Sequence, residues 1–151
     1  MKKFQIFFTA LIFTILLNIL ICSSTLILHE LGHFYLGIKY GCENIKLVLI
    51  DSNLGTYTEM RCKNILPFYF SSLGAFIFVI PFISLFLILK NFIEKYLFFI
   101  GLGFNISISI ADFQSIATLQ LLGFSVGVGL ILYGEILLID KLLYLIFRGI
   151  K

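Results

Sequence analysis

His29-Glu30-Leu31-Gly32-His33 has the form H-E-x-x-H, and its two histidines are the only two in the 151-residue chain. On a helix, residues four apart lie on one face, so two imidazole nitrogens can converge on a single Zn2+ at about 2.0–2.1 Å. Glu30 follows the first ligand and stands beside the metal's open position. There it can take a proton from a bound water, whose pKa zinc lowers toward about 7, and later pass it to a leaving amine. That is the chemistry of a zinc peptidase. The plainer reading is a chance match or a cap at a helix end. It is disfavoured because the segment lies within or beside a continuous apolar run, where ionisable side chains are costly and by default functional.

Two histidines do not complete a catalytic zinc site, so a third ligand must come from elsewhere in the chain. Outside the polar connections the carboxylates are Asp112, Glu135 and Asp140. If the first helix climbs from side A of a membrane to side B, His29 lies about 16 Å below the B end at Tyr40, and Asp112 about 12 Å below the end of its own span near Gln120. Glu135 would lie about 21 Å down a descending span, and Asp140 deeper. Asp112 is therefore the expected ligand and Glu135 the reserve, with a helix–helix hydrogen bond or a water-filled niche the favoured role for Glu135. Asn105, Ser109 and Asp112 follow i, i+4, i+7 spacing and form one polar stripe on an otherwise apolar helix. Facing the histidines, that stripe would supply the ligand carboxylate, hydrogen bonds that orient it, and an amide, Asn105, that donates to a developing oxyanion. Ser109 serves equally well as glue between helices.

The elements that must position these residues are apolar. The chain is 60% hydrophobic and 13% charged, far from the roughly 45–50% and 25% of soluble domains. A net charge of +3, scattered along the chain, gives no reason to expect a nucleic-acid partner. Phe4 to Leu28 carries no charge and, at about 25 residues, exceeds the roughly 20 that cross the hydrocarbon. It is read as a retained spanning helix, not as a cleaved signal, because no small-residue cleavage pattern follows it. The apolar pattern continues to about Tyr40, some 37 residues or roughly 55 Å if helical, so the helix either projects from one face or breaks near Asn18 or Cys22-Ser23-Ser24.

Residues 43–63 form the one long polar connection, expected as a hairpin at the membrane surface: a strand at Ile45 to Ile50, a turn at Asp51 to Gly55, a strand at Thr56 to Cys62. Further spans are expected at Ile65 to Leu89, kinked at Pro81, at Tyr96 to about Gln114, and at Leu121 to about Ile139, with an interfacial tail from Asp140. The fold class is thus an all-α membrane protein, a single domain over 1–151 with about four transmembrane helices and a small surface β-hairpin. Cys22, Cys42 and Cys62 are an odd number without a C-x-x-C motif. Free thiols are the favoured reading, a Cys42–Cys62 bridge requiring that their loop face an oxidising compartment.

With those elements in place, the chain resembles the site-2 protease family of intramembrane zinc metalloproteases. The resemblance covers most of the length: the H-E-x-x-H motif on an early span, Gly37-Ile38 leading into a hairpin with Asn53-Leu54-Gly55, the small-residue patch Ser71-Ser72-Leu73-Gly74-Ala75, and Asn105 followed by Asp112 on a later span. Where that family has Asn, prolines and Asp-Gly, this chain has Asn105 through Asp112-Phe113 without proline. The resemblance implies zinc held by His29, His33 and Asp112, with Glu30 activating water for peptide-bond hydrolysis inside the bilayer.

The expected function is accordingly a zinc metalloendopeptidase of a multi-pass protein of the cell membrane, its partner a transmembrane or membrane-associated protein substrate. A non-proteolytic membrane zinc-binding protein, whether carrier, sensor or inactive scaffold, is the alternative. A substrate helix must unwind to be cut, and the hairpin edge could pair with the extended segment, so a proline at Thr58 should impair cleavage without loss of zinc. Side A carries Lys2, Lys3, Lys90, Lys95, Lys141, Arg148 and Lys151, and side B Lys39, Lys46, Arg61 and Lys63. The positive-inside rule then puts A in the cytoplasm and the hairpin outside.

Overall fold

An uncharged, β-branched and aliphatic run with no glycine or proline before Gly32 has nothing to interrupt a helix, and none of the expected breaks occurs. In the computed structural model, which describes residues 2–51, 55–63, 68–88, 92–112 and 117–148, helix α1 is continuous over Lys2–Lys39. Its 38 residues make it about 57 Å long. It stops at Gly41, whose φ of 67° is a conformation that costs glycine nothing. There Cys42 N donates to Gly37 O at 2.9 Å and Gly41 N to Ile38 O at 3.1 Å, the paired bonds that satisfy the last carbonyls of a helix.

Strands β1 (Glu43–Asp51) and β2 (Gly55–Arg61) form a two-stranded antiparallel sheet, with Leu47 opposite Thr58 and Val48 opposite Tyr57. The hairpin is as expected, each strand shifted by a residue or two; turn residues 52–54 lie outside the described residues. The segment expected as the next span forms two helices, α2 (Phe68–Ile77) and α3 (Val79–Ile88), separated at Phe78. Pro81 explains the position of the break, since it has no N–H for the carbonyl of Ile77 and its ring crowds that oxygen. Pro67 is outside the described residues.

Helix α4 runs over Phe92–Ser109, tightens into a 3-10 turn at Ile110–Asp112, and is followed by α5 over Ala117–Arg148. Thus the third span ends earlier than expected, and the last helix starts earlier and absorbs the tail. Helices α4 and α5 pack together most extensively, α1 lies against α2 and α4, and α5 touches α1 only lightly. The core where α1, α4 and α5 meet consists of Ile21, Leu97, Ile100 and Leu138, and Ile83 of α3 is buried as well.

Large apolar residues such as Phe4, Leu16, Leu20, Leu121 and Ile136 face outward. Phe4–Lys39 and Gln120–Leu145 are long and apolar enough to cross a membrane by length and composition, and Leu73–Ile88 and Lys95–Ser109 are shorter apolar helices.

Candidate metal centre

On α1, His29 and His33 point the same way and bring their Nε2 atoms to 3.2 Å from each other. Asp112 completes a triangle, its Oδ2 lying 3.2 Å from His33 Nε2 and 3.4 Å from His29 Nε2. Both imidazoles are buried and the carboxylate is partly exposed. Three ligands at about 2.0–2.1 Å in tetrahedral directions lie about 3.3–3.4 Å apart, so the triangle has the size of one face of such a coordination shell. The group could hold a metal ion. Two imidazoles and one carboxylate are also the donor type of catalytic rather than structural zinc sites, because they leave one position open.

Asn105, fully buried on α4, holds the first histidine. Its Oδ1 is 3.1 Å from His29 Nδ1. An amide oxygen only accepts, so Nδ1 carries the proton and Nε2 presents its lone pair to the triangle. Asn105 Nδ2 is buried and has no partner among the described residues. Ser109 turns its hydroxyl back to donate to Asn105 O at 2.6 Å. This bond lies within α4 and reaches neither another helix nor the triangle. That bond, together with β-branched Ile106, Ile108 and Ile110, weakens the helix where it tightens into the 3-10 turn. The turn carries Asp112, which thus reaches the histidines from the end of α4, not from a helical stripe.

Two further contacts fix α1 at the motif. A Cβ at Gly32 would fall 1.8 Å from Gly74 O, and one at Gly74 would fall 3.0 Å from His33 Nδ1. The backbones of α1 and α2 touch there, which only residues without a side chain allow. On another side β2 runs back along α1. Thr58 Oγ1 donates to Glu30 O at 3.0 Å, and a Cβ at Gly37 would meet Met60 Sδ and Ile45 Cδ1, each at 3.2 Å. A Cys42–Cys62 disulfide latches the base of the hairpin to the end of α1, which overturns the expectation of free thiols; Cys22 is free. The hairpin register, with Glu43 opposite Arg61, sets Cys42 opposite Cys62, and so favours the bridge that the sequence reading had kept as its alternative. The hairpin therefore lies alongside the last turns of α1, and Glu30, itself buried, is under β2.

Glu135 does not join the triangle. It accepts a hydrogen bond from Asn18 Nδ2, eleven residues before His29 on α1 and so about 16 Å away along the helix. Asp140 is exposed on α5. Glu135 thus makes the helix–helix hydrogen bond favoured for it, and the contacts that sequence reasoning missed are the Gly32–Gly74 crossing, the Thr58 bond to Glu30 and the identity of Asn18 as the partner of Glu135. The first had a signal in the glycine inside the motif and the small residues around Gly74. Comparison of the chain with protein-family models, curated proteins and solved structures finds no match.

Proposed function

We propose that this chain is an intramembrane zinc metalloendopeptidase that hydrolyses peptide bonds in or near transmembrane segments of other proteins. One observation carries the reading: His29 and His33 meet a carboxylate 79 residues beyond the second histidine, at the spacing of a three-ligand zinc site, with a buried glutamate next to the first histidine. Zinc bound there would supply an acidified water and a polarised carbonyl. The residues of the chain do the rest. Glu30 takes a proton from the water attacking the peptide carbonyl carbon and returns it to the amide nitrogen as the C–N bond breaks. Asn105 keeps His29 in the tautomer that can ligate, and its unpartnered Nδ2 is available as a donor to the oxygen that gains charge.

Two helices of spanning length, two shorter apolar helices and an outward-facing apolar surface support a multi-pass membrane protein. A substrate for such a site is itself in the bilayer, and its scissile segment must be extended because helical amides are paired. The hairpin lies beside Glu30, within reach of a segment that adds to its edge as a further strand.

The test uses the full chain in lipid nanodiscs with a panel of single-pass transmembrane reporters. Glu30→Gln should keep stoichiometric zinc and lose about 10²–10⁴-fold in cleavage. Zinc binding with equal cleavage by wild type and variant would reject hydrolysis by this site and leave a membrane zinc-binding protein.

A further inference from the structure

A second polar locus lies apart from the metal centre. Between the N-terminal half of α1 and the C-terminal half of α5 is a half-open cavity of about 320 Å³, walled by Phe7, Ile139 and Leu142 among other apolar residues and floored by Thr14, Asn18 and Glu135. Its size and its few polar groups in an apolar wall are those of a small-molecule site. Among the polar groups that line it, the Glu135 carboxylate is the one that carries charge. Thr14 spends its hydroxyl proton on Ala10 O at 3.0 Å, and Asn18 gives an Nδ2 proton to Glu135. Asn18 Oδ1 is buried without a partner among the described residues. A carboxylate in apolar surroundings is also costly unless a cation or a donor answers it.

We infer that this cavity is a binding site for an amphiphile with a cationic amine head, the ammonium at the Glu135 carboxylate and the apolar body along Phe7 and Leu142. The ammonium donates up to three hydrogen bonds, accepts none, and balances the charge of the half-buried Glu135 carboxylate. This goes beyond the proposed peptidase and does not depend on it, since the floor is about 16 Å along α1 from His29.

The probe is dodecylamine carrying a diazirine at the chain end, with the matching alcohol and fatty acid as comparisons, applied to the full chain in nanodiscs and read by peptide mass spectrometry. The amine should label α1 over 7–18 and α5 over 135–143 saturably, and more than either comparison. Glu135→Gln should abolish the preference while thermal melting in nanodiscs stays at the wild-type level, which excludes misfolding. Leu142→Trp, which fills the cavity and leaves both polar groups, should also remove the labelling. Equal labelling by all three heads, labelling spread over every outward-facing helix, preference for the alcohol, or a preference that survives Glu135→Gln would each overturn the assignment.

Discussion

At the residue scale, the candidate site is an argument about lone pairs. His29 and His33 turn Nε2 to one point, and for His29 the other ring nitrogen is held by Asn105 Oδ1. Asp112 and Glu135 can then be told apart by experiment. Asp112→Ala should abolish stoichiometric zinc, whereas Glu135→Ala should leave zinc content at the wild-type level; plasma mass spectrometry of the purified chain measures both. Asn105→Leu keeps all three ligands and removes only the orienting acceptor. It should weaken zinc about 10–100-fold in a chelator competition, and unchanged affinity would mean that His29 needs no help from α4.

At the element scale, the motif helix is held by one backbone contact and one side-chain tether. Gly32→Ala puts a methyl group into Gly74 O, so α1 and α2 must separate, with a loss of about 1–3 kcal/mol in stability and weaker zinc binding. Gly129→Ala is the matched control. Among the described residues no atom beyond its own helix backbone lies within 4 Å of a Cβ there, and the substitution should be neutral or stabilise by about 0.4–1 kcal/mol. Thermal melting in nanodiscs reads both. The hairpin needs a finer test than a proline alone, because Thr58 also donates to Glu30 O. Thr58→Val removes the tether and keeps the strand, whereas Thr58→Pro removes both. If a substrate adds to the sheet edge, cleavage should fall further with proline than with valine; equal losses would assign the whole effect to the tether.

At the scale of the whole molecule, the disulfide and the distribution of charge bear on the same question. On the membrane reading, α1 at about 57 Å exceeds the roughly 30 Å of hydrocarbon, so part of it stands outside the lipid, and the hairpin lies along its C-terminal turns. A Cys42–Cys62 bridge persists only in an oxidising compartment, and the excess of lysine and arginine lies at the opposite end. The hairpin side should therefore face outward. In intact cells a membrane-impermeant maleimide should label Cys42 and Cys62 after exposure to an impermeant reductant and not before it. Labelling without reductant, or only after lysis, would reverse the orientation or remove the bridge.

The sequence by itself determined the long helices, the hairpin, the break near Pro81 and the pair of histidines. These follow from local causes: uninterrupted apolar runs, β-branched alternation, a missing N–H, and a spacing of four on a helix. It also ranked Asp112 above Glu135, because depth in a bundle can be counted along the chain. Only the tertiary structure decided that Asn18 is the partner of Glu135, that Asn105 serves His29 and that Gly32 lies on Gly74. Each of these is a meeting of segments far apart in sequence. Their relative rotation and closeness depend on how whole helix faces pack, and no local pattern encodes that.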